Sequence, residues 1–81
     1  MVAEDSDRAY RWSRGHEEVA RVRDEMAELL TAEIGRASCA DVAVGLRENV
    51  LWLRMAAQVA RRRAEYWAGK AAHLAQQSAA R

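Results

Sequence analysis

The sequence predicts an all-α protein, from its composition and from two long periodic apolar patterns separated by one break. Its 81 residues include no proline and no phenylalanine, whereas alanine supplies 18, a composition typical of helical and coiled-coil proteins. The break lies at residues 35–38, between the two patterns. We therefore predict a single domain over residues 1–81, folded as a two-helix antiparallel hairpin. Its helices should span about residues 7–34 and 39–77, with a turn at 35–38 and frayed ends at 1–6 and 78–81.

The first helix is predicted from an apolar stripe in the amino-terminal half. Its members recur at alternating steps of three and four, which keeps them on one helical face; they are Trp12, Gly15, Val19, Val22, Met26 and Leu29, with Leu30 and Ile34 widening the stripe. Ser6 or Asp7 can cap the start of this helix, and Gly35 is a typical helix stop.

The second helix carries the strongest periodic pattern in the chain. A strict four-three heptad spacing joins Ala43, Leu46, Val50, Leu53, Ala57, Ala60, Ala64, Trp67, Ala71 and Leu74. We call this set the seam and expect it to hold the hairpin together, because its small central residues allow another helix to approach closely. Ser38 and Asp41 resemble a capping box at the helix start. The first helix should cover the second only to about Trp67, so that residues 68–80 overhang, kink at Gly69 or fray.

A second apolar stripe lies on the other side of the second helix. In the heptad frame of the seam its members occupy positions that face away from the seam; they are Leu51, Trp52, Met55, Val59 and Tyr66. Because the first helix can bury only one of the two sets, we expect this stripe to bind a protein partner. The simplest arrangement is a homodimer of hairpins forming a four-helix bundle, and a similar small helical protein is the other candidate. The roles of seam and stripe could be exchanged.

Charge is distributed unevenly along the chain, although the net charge is only +1. Residues 1–41 carry ten acids and six bases, while residues 42–81 carry two acids and seven bases. Five arginines of the second half are candidates for binding an anion or forming ion pairs; they are Arg47, Arg54, Arg61, Arg62 and Arg63. They could bind the phosphates of a nucleic acid, or they could flank the seam as ion-paired positions beside the acidic first helix.

Residues that could support catalysis or metal binding do not form a recognisable site in the sequence. Cys39 is the only cysteine, and its place in the first turn of a helix could make the thiol reactive. His16 and His73 have no second ligand at helical spacing, so neither a metal nor a cofactor is expected. Arg21 and Arg23 precede an apolar stretch, which resembles the first helix of chorismate mutases. The second half lacks that family's shorter helices, and an enzyme is the least favoured alternative.

The segment from Trp67 to Ala72 resembles the Trp-x-Gly turn of the small helical hairpins exported by type VII secretion. In that family the turn lies mid-chain between helices of similar length. The resemblance covers six of the 81 residues, and it would imply a turn at Trp67–Gly69. Here the motif lies close to the carboxyl-terminal residue, so the second arm of such a hairpin is missing.

The cellular setting is predicted from the ends of the sequence and from its composition. The first seven residues are acidic and lack the apolar core of a signal peptide, and no apolar stretch approaches the roughly 18 residues of a membrane span. Twelve of the 13 basic residues are arginine, which with the alanine content suggests a high-GC bacterial genome. The sequence therefore predicts a cytoplasmic, non-enzymatic association module.

Overall fold

The protein is an antiparallel pair of long helices, which confirms the predicted all-α hairpin. The structure, a computed structural model, describes residues 2–80, and the side chains of residues 4–80. Helix α1 is Val2–Ile34 and helix α2 is Ala40–Ala79. The pair is about 64 Å long and 13 Å across. We call the end at residues 35–39 the turn end and the opposite end, where α1 begins and α2 finishes, the open end.

Helix α1 is longer than predicted, and this changes how α2 is covered. It begins at Val2, so Ser6 lies inside it and does not cap it. The Ser6 hydroxyl instead donates a hydrogen bond to the Ala71 carbonyl of α2 (3.0 Å). Helix α1 therefore reaches past Trp67, and the predicted overhang is wrong. Helix α2 also runs without a break through Gly69. Of the ends expected to fray, Met1 and Arg81 lie outside the described residues.

The turn is closed by backbone hydrogen bonds, not by the predicted capping box. The Arg36 amide donates to the Glu33 carbonyl (3.0 Å) and the Ala37 amide donates to the Ile34 carbonyl (3.2 Å). Cys39 is the residue that precedes α2, and it makes no side-chain capping bond. Extended backbone at Cys39, with φ −153° and ψ 164°, starts the helix one residue after Ser38, which displaces Ser38 from the capping position.

The face of α1 that packs on α2 is not the predicted apolar stripe. It lies one residue further along at almost every step, and it consists of Ser6, Ala9, Ser13, His16, Ala20, Arg23, Ala27, Leu30 and Ile34, all buried or half-buried. These nine residues keep the same three-four spacing, and we call them the α1 seam. Most are small or polar, so a search for large apolar residues misses them. Only Leu30 and Ile34 belong to both sets.

Small residues on both sides make the contact between the helices close but thin. Ala20 meets Ala57 and Ala60, while Ala27 meets Val50 and Leu53. Short side chains allow helix axes to approach to the lower end of the usual 8–10 Å. Among residues 4–80 no large side chain is fully buried. A buried methyl contributes about 0.8 kcal/mol, against roughly 1.5–3 kcal/mol for a buried leucine or valine, so the hairpin has a modest core of its own.

Candidate association surface

The α2 seam packs on α1 along its whole length. Of its ten residues, Val50, Leu53, Ala57, Ala60, Ala64 and Ala71 are buried, and Ala43, Leu46, Trp67 and Leu74 are half-buried. Ser13 fixes the register of this contact, because its buried hydroxyl donates to the Ala64 carbonyl (2.7 Å). The Ser6–Ala71 bond lies closer to the open end by seven residues on each helix, seven earlier on α1 and seven later on α2. The two bonds thus repeat one heptad contact.

The second stripe of α2 is left in water by the hairpin. Its five residues are between 44% and 68% exposed; they are Leu51, Trp52, Met55, Val59 and Tyr66. Helix α1 carries a similar exposed set. The apolar stripe predicted for this helix lies beside the α1 seam, and its large residues are between 40% and 69% exposed; they are Trp12, Val19, Val22, Met26 and Leu29. Single exposed apolar residues are ordinary on protein surfaces, but two periodic rows are not.

The two exposed rows lie on the same side of the hairpin. Successive residues of a right-handed helix turn by about 100°, so in two antiparallel helices the residue preceding a seam residue points to the same side of both. Trp12 and Val19 precede α1 seam residues, as Val59 and Tyr66 precede α2 seam residues. The grooves agree with this geometry. One shallow groove of about 270 Å³ is lined by Trp12 of α1 together with Lys70 of α2.

We name this surface the shared apolar face, and define it as Trp12, Val19, Val22, Met26 and Leu29 of α1 with Trp52, Ala56, Val59 and Tyr66 of α2. The register set by Ser13 and Ala64 places its large residues at matching levels. Trp12 lies level with Tyr66, Val19 with Val59, and Met26 with Trp52. These three rungs are seven residues apart, or roughly 10 Å. Each helix therefore has a second heptad row, as helices in four-helix bundles do.

Two residues predicted to bind a partner lie off this face. Leu51 and Met55 are among the most exposed apolar residues of α2, but they follow or oppose the seam instead of preceding it. They line a shallow depression on the outer surface of α2 with Arg54, Gln58, Arg62 and Val59, so Val59 lies at the border between this depression and the shared apolar face. The sequence pattern grouped them with Trp52, Val59 and Tyr66 because all five share the broad side of α2 that faces away from its seam.

Aromatic rings cluster where the shared apolar face approaches the open end. The ring centroids of Trp12 and Trp67 are 5.6 Å apart, and Tyr66 stacks on Trp67 with centroids 5.2 Å apart. His16 lies beside Trp12, with centroids 6.2 Å apart. Aromatic pairs at such distances contribute about 0.5–1.5 kcal/mol beyond their buried area. The cluster therefore joins α1 to α2 at one end of the face.

The opposite side of the hairpin is charged. A groove of about 640 Å³ runs between the helices there, lined on α1 by Glu17, Arg21, Asp24, Glu25 and Glu28 and on α2 by Arg61 and Glu65. Arg61 crosses the groove to form an ion pair with Asp24. Acids of α1 thus face an arginine of α2, as the ion-paired interpretation of the arginines expects. The two long sides of the hairpin differ sharply in polarity.

The arginine cluster does not form one basic patch. Arg61, Arg62 and Arg63 are consecutive on α2, so their side chains leave the helix in three directions about 100° apart. Arg61 pairs with Asp24 on the charged side, Arg62 lies on the back of α2, and Arg63 precedes the seam residue Ala64 and so borders the shared apolar face. Arg47 and Arg54 lie on the same side as Arg61.

Arg21 is the most strongly paired side chain of the charged side. Its guanidinium bonds both Glu18 and Glu25, one turn away on either side. The hydrogen bond from Arg21 lowers the pKa of Glu18 below its ordinary value, and the same bond raises the pKa of Arg21 above the usual arginine range. Both side chains are more than half exposed, so water screens the pair.

The remaining candidate groups stand apart from one another. Cys39 is exposed at the turn end, while His73 pairs with Gln77 near the open end (3.1 Å). Across residues 4–80, no three His, Cys, Asp or Glu side chains come together as metal ligands would.

Neither α1 nor α2 contains a stretch apolar enough to cross a membrane. Comparisons with protein-family models, curated proteins and solved structures gave no match for this chain.

Proposed function

We propose that this chain is a non-enzymatic association module that binds a helical protein surface through its shared apolar face. One observation carries the proposal: two heptad rows of large apolar residues, one from each helix, lie side by side and exposed between Trp12 and Leu29 of α1 and the facing part of α2. In water such a surface is unfavourable, because each large side chain loses roughly 1.5–3 kcal/mol relative to burial. The two rows lie on neighbouring packed helices, so the surface that they form has the width of a helix contact. A helix or a pair of helices therefore fits it.

The thin core of the hairpin supports the same proposal. Residues between the helices are mostly alanine and serine, whereas valine, methionine and tryptophan point outward from the shared apolar face. Small domains that lack disulfides and metals commonly gain stability by association. A chain that placed its large apolar residues outside its own core is therefore consistent with a role as one half of a larger helical assembly.

Site-specific photo-cross-linking tests the proposal with two neighbouring positions. A benzophenone-bearing phenylalanine replaces Val59 on the shared apolar face in one variant. In the other variant it replaces Gln58, which follows a seam residue and so leaves α2 on the opposite side. Both variants are made in cells of the organism that encodes the chain. We expect covalent adducts from position 59 that map to a helical segment of a second chain, and few from position 58. Equal adducts from both positions, or none from position 59, would contradict the proposal.

A further inference from the structure

The shared apolar face has features that select one occupant and one orientation. We infer that this occupant is a second copy of the chain, antiparallel to the first, so that α1 lies on α1, α2 lies on α2 and the two turn ends point in opposite directions. This inference rests on the proposed function and names its partner. The resulting dimer is a four-helix bundle with a two-fold axis across the middle of the face.

Charge along the face argues against the other two-fold arrangement. Arg8 and Lys70 border the open end of the face, with Asp5 as the neighbouring acid. If both turn ends lay together, α1 would face α2 of the second copy at matching levels, and Arg8 would meet Lys70. Four basic side chains, two from each copy, would then gather at one end of the bundle. Such like-charge contacts are unfavourable and reject the parallel orientation.

The antiparallel orientation separates Arg8 from Lys70 and places Arg8 beside an acid. Glu33 precedes the α1 seam residue Ile34, so it lies on the same side as the shared apolar face at the turn end. With the axis at the midpoint of the α1 row, the basic open end of each copy meets this turn end of the other. Arg8 then lies level with Glu33 of the second copy. Opposite charges meet at both ends of the dimer.

Side-chain size is complementary in the same orientation. The two-fold axis places Val19 against Val22 of the second copy and Trp12 against its Leu29. Gly15, beside which an added Cβ would meet no atom within 4 Å, then lies opposite Met26. A small residue thus receives a long flexible one. On α2, Val59 packs against Ala56 of the second copy by the same symmetry. Packing of large against small residues is what a close helix contact requires.

The two polar interruptions of the α2 row also receive partners. Asn49 and Arg63 occupy heptad positions of the row that are otherwise apolar. In the antiparallel dimer Asn49 lies level with the Tyr66 hydroxyl of the second copy, with which its amide can hydrogen-bond. Arg63 lies level with Trp52, and a guanidinium over an indole ring is a favourable cation–π contact. In the parallel orientation the same two residues face Leu29 and Gly15.

The native cysteine provides a direct test of orientation. Cys39 is exposed and lies off the shared apolar face, so a nitroxide label there leaves the face intact. About 18 residues separate it from the level of the axis on α2, so the two labels should be about 50–60 Å apart in the antiparallel dimer. A parallel dimer would hold them within about 30 Å. Double electron–electron resonance on singly labelled wild-type chain measures this distance, and a single short distance would overturn the inference.

A pair of substitutions tests whether this face joins the two copies. Val19→Glu places two carboxylates beside the axis, and we expect the dimer to weaken by about 100-fold or more, because buried unpaired charges are costly. Leu51→Glu is the matched control, since Leu51 is an exposed apolar residue off the face, and it should leave the dimer unchanged. Analytical ultracentrifugation gives both dissociation constants, and circular dichroism checks that each variant keeps its helices.

The outcomes separate this inference from the proposed function. A wild-type chain that stays monomeric at several hundred micromolar overturns the homodimer. If position 59 nevertheless cross-links to a helix of a different protein, the association module stands with another partner. If neither self-association nor such an adduct is observed, both proposals fail.

Discussion

At the scale of single residues, the contact between the helices depends on atoms that apolar patterns do not reveal. Ser13 is 3% exposed, and its hydroxyl is bonded to the backbone of α2. His16 and Arg23 occupy the same α1 seam, and Arg23 donates to the Ala56 carbonyl (3.3 Å). Serine, histidine and arginine interrupt the apolar pattern of the α1 seam, and a row of larger apolar residues lies beside it, so hydrophobic periodicity selected the wrong row of α1.

Replacing Ser13 tests the value of its hydrogen bond. Ser13→Ala keeps the close helix contact but removes the donor to the Ala64 carbonyl, which retains its bond within α2. We expect the free energy of unfolding to fall by about 0.5–1.5 kcal/mol. Urea denaturation at one protein concentration measures it. Ser38→Ala is the control, because Ser38 is exposed and caps no helix. An equal loss in both variants would show that the bond contributes nothing.

Replacing Arg21 tests the electrostatics of the charged side. In Arg21→Gln the hydrogen bond to Glu18 is lost, and the pKa of Glu18 should rise back toward its ordinary value. In the native chain the pair stabilises the fold above the ordinary carboxyl pKa, and this contribution disappears as pH falls through the lowered pKa of Glu18. NMR titration of the Glu18 carboxyl follows the change. Arg14→Gln, which removes an arginine lying over Tyr10, should leave that pKa where it is.

At the scale of helices, the sequence predicted α2 better than α1. All ten seam residues of α2 are buried or half-buried, because in α2 the packing row is also a continuous apolar row. In α1 the packing row is small and polar, while the large apolar residues lie one position earlier. The same displacement hides the exposed face of α1. An apolar stripe predicts the side of a helix that packs on its neighbour, and only the register of the hairpin shows which row of α1 packs on α2 and which stays exposed.

Gly69 gives a prediction at this scale. The residue lies inside α2, and a Cβ added there would meet no atom within 4 Å. We therefore expect Gly69→Ala to raise the free energy of unfolding by about 0.5–1 kcal/mol, the usual gain for alanine over glycine in a helix interior. Thermal and urea unfolding measure the change. Destabilisation would indicate instead that the chain needs a turn at the Trp-x-Gly segment, as the resemblance to the secreted hairpins implies.

At the scale of the whole molecule, the hairpin divides its side chains in an unusual way. Small residues dominate the centre of the contact between the helices, charged residues line the groove on one long side, and most of the exposed large apolar residues occupy the other. A lone hairpin gains little from the large residues, whereas a bundle would gain from all of them. The stability of the hairpin and its association should therefore be coupled, because a partner that binds only the folded chain adds to its stability.

Concentration dependence of unfolding follows from this coupling. For the wild-type chain, we expect the urea midpoint to rise when the protein concentration increases 100-fold, since mass action adds about 2.7 kcal/mol per dimer over that range. Circular dichroism follows the loss of helix, and tryptophan fluorescence follows the exposure of Trp52, which is shielded only in the assembly. Both signals should report the same shift, because folding and association are coupled. In Val19→Glu the midpoint should be lower and independent of concentration, while Leu51→Glu should behave as wild type. A wild-type midpoint that does not move would mean that the alanine seam alone is sufficient to hold the hairpin.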